Sequence, residues 1–471
     1  MTDPFTPTSK PDSDERLGGH QVCVVGAGYV GLTAAACLAH LGHNVTCVEA
    51  SPHRLEVLRG GGIPIHEPGL ADLVDEGVRN GRLRWAADIA SGLGDAGIVL
   101  LCVGTPPRAD GEPDLSQLAD AGRQVARAAS RDLVVVVKST VPPGSCEAIE
   151  LICADEADAG VTIRVASSPE FLRESRAVED FLFPDRVVVG AEDLDVIDLV
   201  ASLYPPASPV VRCDRRGAEL VKYAANTFLA IKISFANEVA QLCDALGTNA
   251  MDVLDGVGSD SRIGRQFLKP GPGYGGSCLP KDVSGFVALG KSAGTWTSLA
   301  CAAEEQNAHA RRSVAGRLEL VIGPLRGKRI GLLGLAFKDG TDDVRDSPSM
   351  QIAKDLLAAG AVVCVYDPLA HGESAPVEVK RVTSPREVLT GAEAVVIGVD
   401  SPEYRNLDPI GVADLMSGDV VFDAAGVCDL DAWGRAGLNV YGVGRGTPMA
   451  FYPVVWAPLR WTVGAPVDSL D

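Results

Sequence analysis

The stretch from Gln21 to Glu49 restricts the fold more than any other part of the chain. Gln21–Val25 is a short apolar run that reads as a strand, and it leads directly into Gly26-Ala27-Gly28-Tyr29-Val30-Gly31. A helical pattern follows to about Leu41, Gly42 stops it, and a second strand over Asn44–Val48 ends in Glu49. A G-x-G-x-x-G alone is a weak signal, because glycines are common in loops. With the strand, the helix, the second strand and the terminal acid all in place, it is the fingerprint of a dinucleotide-binding βαβ unit. Backbone N–H groups at the helix start would hold a pyrophosphate, and Glu49 would accept from the adenosine ribose hydroxyls. A carboxylate there repels a 2′-phosphate, so the expected cofactor is NAD rather than NADP.

The strand–helix alternation continues. Strands are expected at Gly97–Val103, ahead of Thr105-Pro106-Pro107, and at Leu133–Lys138, ahead of Ser139-Thr140-Val141-Pro142-Pro143-Gly144. A strand at Thr162–Ser167 opens into Ser168-Pro169-Glu170-Phe171-Leu172-Arg173-Glu174. These turns lie at the strand ends where doubly wound sheets bind ligands. Glu170 and Glu174 would share a face on a helical turn; the alternative is a solvated acidic turn with Arg173 as partner. In the C-terminal third, strands at Lys328–Leu335, Ala361–Tyr366, Ala394–Val399 and Val420–Asp423, with a helix at Met350–Ala359, form a second Rossmann-like unit. Its Gly331-Leu332-Leu333-Gly334 lacks the dinucleotide fingerprint, and Lys338, Asp339 and Arg345 fall in the loop after its first strand.

A chain of 471 residues is too long for one domain. Its net charge of −20 argues against a nucleic-acid or anionic-membrane partner, since both need a basic surface. No run is long and apolar enough to span a bilayer. The twelve cysteines include no C-x-x-C pair, which suggests reduced thiols in a cytosol, and the seven histidines show no metal-ligand spacing. No metal is expected.

Residues from about Arg216 to Leu246 read as one helix, roughly 45 Å long at 1.5 Å per residue. Val221, Ala224, Phe228, Ile231, Phe235, Val239, Leu242 and Leu246 recur along it at steps of three and four. A helix of that length can join two domains and also form a subunit interface. Lys222 and Asn226 project together off the apolar stripe; at helical spacing a surface pair is the commoner reading. Arg262, Arg265 and Lys269 then supply the local positive charge that phosphates would need. Gly273 through Asp282 place a cysteine in a glycine-rich turn just before a helix start marked by Pro280. The thiol of Cys278 would face the positive end of that helix, which favours the nucleophilic thiolate. Asp282 could return to the same face. Most other cysteines, such as Cys23, Cys47, Cys102 and Cys364, sit in apolar runs and read as buried structural thiols.

From about Gln21 to about Gly426 the chain resembles the UDP-glucose/GDP-mannose dehydrogenase family. The likeness is carried by Gly-Tyr-Val-Gly-Leu at 28–32, Pro-Ile-His-Glu-Pro-Gly-Leu at 64–70, Ser-Thr-Val-Pro at 139–142 and Pro-Glu-Phe-Leu-Arg-Glu at 169–174. It extends to Lys222 with Asn226, Gly-Gly-Ser-Cys at 275–278 with Lys281-Asp282, and Gly-Leu-Ala-Phe-Lys at 334–338. The resemblance implies two successive NAD-dependent oxidations of a nucleotide sugar at C6, from alcohol to carboxylate. It implies that Cys278 captures the aldehyde, that Lys222 and Asn226 stabilise oxyanions, and that Asp282 holds or activates water, with Thr140 and Glu174 positioning water and substrate. It puts NAD against Gly26, Ala27, Gly28, Tyr29, Val30, Gly31, Glu49, Arg54, Val103, Thr105, Pro106, Ser139, Thr140, Glu174, Lys281 and Arg345. It puts the substrate against Glu170, Phe171, Leu172, Arg173, Glu174, Lys222, Asn226, Phe267, Lys269, Tyr274, Gly275, Phe337 and Lys338. Arg262 would reach into a neighbouring subunit, which implies a homodimer.

Two positions depart from the family pattern. Ser168 stands where asparagine is usual, and the segment after Asp423 lacks the arginine that many members carry. The second departure leaves a dTDP-sugar open beside a UDP-sugar. Cys278–Asp282 is similar to the GDP-mannose branch, whereas Pro184–Gly190 and Ser261–Gly264 are similar to the UDP-glucose branch, and a glucose substrate is expected. The alternatives are a GDP-mannose or N-acetylhexosamine nucleotide dehydrogenase, a two-electron β-hydroxyacid dehydrogenase, and a non-catalytic nucleotide-sugar sensor. The expected architecture is α/β: two Rossmann-like doubly wound domains bridged by a long central helix. Residues 1–19 would be a disordered tail, 20–213 the NAD-binding domain, 214–312 the helical dimerisation and catalytic segment, and 313–471 the nucleotide-sugar-binding domain.

Overall fold

A computed structural model describes residues 19–370 and 379–445. The tail expected at 1–19 lies outside the described residues except for Gly19, as does everything after Arg445. The N-terminal sheet contains β1 (Gln21–Val25), β2 (Asn44–Val48), β3 (Leu83–Ala86), β4 (Ile98–Leu101), β5 (Leu133–Val137), β6 (Ile163–Ser167), β7 (Val187–Gly190) and β8 (Val210–Cys213). Their spatial order is β3-β2-β1-β4-β5-β6-β7-β8. The pairing is parallel except between β6 and β7. Strands such as Leu133–Val137 are buried on both faces, as a parallel sheet covered by helices requires.

The C-terminal sheet repeats the plan with β9 (Arg329–Leu333), β10 (Val362–Tyr366), β11 (Lys380–Arg381), β12 (Ala394–Ile397), β13 (Val420–Asp423) and β14 (Asn439–Gly442). Its order, β11-β10-β9-β12-β13-β14, is again that of a doubly wound sheet with a reversal beside its first strand.

Five helices matter for the site: α1 (Tyr29–His40), α2 (Arg215–Leu246), α3 (Leu279–Ser292), α4 (Ser298–Ile322) and α5 (Pro348–Ala358). The 32-residue α2 begins where the Asp214 side chain accepts the Gly217 N–H and ends at Gly247 in the left-handed region. Its apolar stripe is not the buried face. Phe228 (62% exposed), Phe235 (47%), Leu242 (58%) and Leu246 (56%) face outward, while Lys222, Tyr223, Asn226, Ala230, Asn237 and Ala240 are buried. Lys222 and Asn226 are therefore not a surface pair. The 25-residue α4 was not anticipated. Its inward positions, Ala300, Ala303, Asn307, Ala310, Val314 and Leu318, step by three and four but are mostly small, so the pattern is faint. Its N-terminal half packs on α2 and its C-terminal half on α5. It thus bridges to the C-terminal sheet, and the expected division at 312/313 falls inside it.

Candidate active site

The glycines of the N-terminal fingerprint obey different steric rules, crowded at its ends and open at its middle. Gly26 has φ +99°, and a Cβ there would lie 2.8 Å from the Cys102 carbonyl oxygen. A Cβ on Gly31 would lie 1.8 Å from the Gly26 carbonyl oxygen, so only glycine lets α1 pack this close. Gly28, at the start of α1, instead faces open space. That gap at a helix N-terminus, with no Cβ in the approach, fits a pyrophosphate. Glu49, one residue past β2, accepts the Ser51 N–H at 2.7 Å and lies 3.5 Å from Arg54 Nε. Arg54 also donates to the Ala27 carbonyl at 2.8 Å, which ties the acidic end to the glycine turn. Across the sheet reversal, Thr105 Oγ1 donates to the Thr140 carbonyl (3.0 Å) and Ser139 Oγ to the Val103 carbonyl (2.7 Å). The loops after β4 and β5 are therefore laced together. Pro106 lies in the first of these loops.

Tyr29 uses its hydroxyl elsewhere. It donates to the buried Glu67 carboxylate and accepts the Ser175 N–H at 2.9 Å. Glu67 also accepts the Ala177 N–H at 2.8 Å, and burial pushes its pKa up. The motif at 64–70 thus anchors the segment that follows Glu174.

A cavity of about 530 Å³ opens between α1, α2, the 169–174 loop, the cysteine turn and the first loop of the C-terminal sheet. It is lined by Val30, Glu170, Phe171, Leu172, Arg173, Glu174, Lys222, Asn226, Phe267, Gly275, Cys278, Phe337 and Lys338 among others. Cys278 immediately precedes α3; it alone of the twelve free cysteines keeps an exposed face, while its sulfur lies inside the cavity, in reach of the Glu170, Lys222 and Asp282 charges. Lys222 and Asn226 reach the cavity from one buried face of α2. Lys222 Nζ donates to Glu170 Oε1 at 2.9 Å, and Asn226 Nδ2 donates to Asp282 Oδ2 at 2.6 Å. The other Asp282 oxygen is held by Lys281 Nζ at 2.5 Å.

The electrostatics follow from these pairs. Burial alone would raise Glu170 and lower Lys222, but their mutual attraction outweighs it: Glu170 is held below and Lys222 above its usual range. Both are charged. The Cys278 thiol is pushed up, first by burial and then by the Glu170 carboxylate, against the opposing pull of Lys222. The expectation of a thiolate favoured by the helix end is corrected accordingly, since enclosure and Glu170 outweigh Lys222. Glu174 is also raised, by burial and by Asp343; its carboxylate accepts from Ser277 Oγ (3.3 Å) and Thr341 Oγ1 (3.1 Å). Lys338 donates to the Glu174 carbonyl at 2.5 Å and is lowered by burial.

Residues 168–173 form an irregular loop rather than a helical turn, so Glu170 and Glu174 meet the cavity from a loop. Arg173 pairs with Asp180 instead of either glutamate. Tyr274, expected against the substrate, packs with Ala230, Val283 and Ala300 in a small core. Lys269 lies outside the cavity wall, paired with Asp400 at 2.5 Å, and Arg345 pairs with Asp343. Arg262 points away, 86% exposed and bound to Asp260 of its own loop. Lys138, Arg186 and Gln266 line the cavity and were missed. Lys138 sits at the end of an apolar strand, and no spacing rule marks it. Among the described residues no cluster of ligating side chains could hold a metal, and no helix is long and apolar enough to cross a membrane.

Comparison with known proteins gives the same reading over most of the length. Profiles of the UDP-glucose/GDP-mannose dehydrogenase family match as its NAD binding domain over residues 20–208, its central domain over 216–309 and its UDP binding domain over 331–430. A UDP-glucose 6-dehydrogenase of Bacillus subtilis is 38% identical over 428 residues, covering 90% of this chain and 97% of that protein. One from Rhizobium meliloti is 38% identical over 435 residues, covering 90% and 99%. The structure of a UDP-glucose dehydrogenase from the hyperthermophilic archaeon Pyrobaculum islandicum superposes with a TM-score of 0.85 at 39% identity, covering 92% of this chain and 99% of that one. With the fingerprint glycines, the paired sheets and the cysteine cavity joined in one chain, and its relatives matched nearly end to end, the protein is an NAD-dependent dehydrogenase and belongs to the UDP-glucose/GDP-mannose dehydrogenase family.

Proposed function

We propose that this chain oxidises UDP-glucose at C6 to the uronic acid in two steps, with Cys278 as the nucleophile. The observation that carries this reading is the placement of the Cys278 thiol in one cavity with Lys222 and Asn226, and with Asp282 bonded beneath them. The names of the relatives support the choice of UDP-glucose. Gly26 through Gly31, Glu49 and Arg54 would hold NAD, with the laced loops at Val103–Pro106 and Ser139–Thr140 beside it. When bound, NAD supplies the hydride acceptor, one molecule for each oxidation.

The chain's own residues handle the rest. The Cys278 sulfur adds to the C6 aldehyde, its proton passing to a base, to give a thiohemiacetal. Lys222, a permanent ammonium beside Glu170, and Asn226, an amide donor, face the developing oxyanion. Loss of a hydride and a proton from the thiohemiacetal leaves a thioester. Water oriented by Asp282 and Glu174 then attacks; the C–S bond breaks and the thiol is restored. The net change consumes one alcohol, two NAD and one water, and yields one carboxylate, two NADH and three protons. Glu170 through Glu174, Phe267, Gly275, Phe337 and Lys338 would surround the nucleotide sugar.

We further propose that the outward stripe of α2 closes a homodimer and that Arg262, free of its own cavity, completes the site of the neighbouring subunit. NADH released per limiting UDP-glucose tests the chemistry: two equivalents are expected, and none of the second equivalent from Cys278→Ser. Two equivalents from that variant would overturn the assignment. Running dTDP-glucose and GDP-mannose alongside identifies the donor.

A further inference from the structure

Behind the turn that carries Cys278, one α4 residue bonds the turn and a second bonds the adjoining 346–347 loop. Asn307, 5% exposed, accepts the Tyr274 N–H at 2.7 Å on Oδ1 and donates from Nδ2 to the Tyr274 carbonyl at 3.1 Å. Arg311, one helical turn on, directs its guanidinium to the backbone carbonyls of Asp346 (2.7 Å) and Ser347 (3.4 Å) in the C-terminal domain. The intervening glycines leave no slack. A Cβ on Gly273 would lie 2.5 Å from Asn307 Oδ1, and one on Gly275 would lie 2.3 Å from the Asp346 carbonyl oxygen. Gly276 donates its N–H to the Arg345 carbonyl at 3.1 Å and leaves no room for a Cβ against the Phe337 ring.

Asp346 itself has φ +48°, one of three non-glycine residues in the left-handed region among the described residues. The others, Ser175 and Phe267, also border the cavity: one follows Glu174 and the other lines the wall. Backbone held in such regions persists only where its surroundings over-determine it, and it gathers at functional sites.

We propose that Asn307 and Arg311 are positioning residues that fasten the Cys278 turn to the 345–347 loop of the C-terminal domain and thereby set where the sulfur meets C6. The catalytic consequence rests on the two-step reading above; the physical clamp does not. Two neighbouring α4 side chains, one committed to the turn's backbone and the other to that of the 346–347 loop, make the turn's place depend on the C-terminal domain, which the sequence separates from it by some seventy residues. Sub-ångström placement matters because a misplacement of about 1 Å can cost on the order of a hundredfold in rate.

The test uses the full-length enzyme with Asn307→Leu, which removes both bonds at similar volume, and Arg311→Met, which acts from the α4 edge and keeps the clamp testable if the first variant folds poorly. Alkylation of Cys278 by iodoacetamide, read by mass spectrometry without substrate, is expected to quicken by about threefold or more as the turn is released. Turnover with UDP-glucose is expected to fall by roughly ten- to a hundredfold at nearly constant KM, with free aldehyde caught by hydroxylamine. Wild-type alkylation rates in both variants, or equal losses in both oxidations without trapped aldehyde, would overturn the proposal. If wild-type enzyme yields a single NADH, the two-step reading fails while the alkylation result still decides the clamp.

Discussion

At the scale of single residues, the sulfur of Cys278 lies between opposing charges. Burial and Glu170 favour the neutral thiol, Lys222 favours the thiolate, and the first two prevail in the resting site. A neutral thiol suits a site that must admit an alcohol before any aldehyde exists. The pH profile of Cys278 alkylation should therefore lie above that of an ordinary cysteine. Lys222→Met should move it further up by removing a favourable cation, and Glu170→Gln should move it down. Lys222→Met should also cost roughly a hundred- to a thousandfold in turnover, as loss of an oxyanion partner does. It strands a buried carboxylate, so its melting temperature should fall as well. A Lys222→Met profile at or below that of the wild type would contradict this account.

At the scale of elements, α1 shows two glycines of one motif doing unlike work. Gly31 meets the Gly26 carbonyl oxygen, whereas Gly28 meets nothing. Gly31→Ala should lower stability by at least about 3 kcal/mol in denaturant unfolding, because a Cβ forces α1 off the sheet. Gly28→Ala should melt within a degree or two of wild type but bind NAD more than about tenfold more weakly by calorimetry, since its methyl enters the pyrophosphate approach. Unchanged NAD affinity in Gly28→Ala would mean that the cofactor does not cross this turn. The other instructive element is α2. Its period and approximate ends were legible from the repeating apolar residues. Its orientation was not. Burying Lys222 and Asn226 requires Glu170 and Asp282 to meet them, and those partners arrive from segments distant in sequence.

At the scale of the whole molecule, the outward stripe of α2 leaves Phe235, Leu242 and Leu246 facing solvent on one chain. Three large apolar side chains along one helix are more than a soluble surface usually leaves uncovered, and a second copy of the same helix is the partner that the dimer proposal supplies. Phe235→Asp with Leu242→Asp should convert the assembly to monomer in sedimentation velocity. Activity should fall with it, because Arg262 then has no neighbouring site to enter. A fully active monomer would separate Arg262 and the stripe from function.

The sequence by itself determined the βαβ fingerprint, the doubly wound character of both halves, the strand limits at Gln21–Val25, Asn44–Val48 and Val420–Asp423, and a cysteine turn directly before a helix. Those features rest on local rules: period, turn chemistry and the steric freedom of glycine. Only the tertiary structure decided which face of α2 turns inward, that Glu170 is the counter-charge of Lys222, that Tyr274 belongs to a core, and that Asn307 bonds the cysteine turn while Arg311 bonds the 346–347 loop. Each of these depends on charges and backbone groups brought together across long separations, where desolvation and pairing are settled by the packed neighbours rather than by any residue's own neighbourhood in the chain.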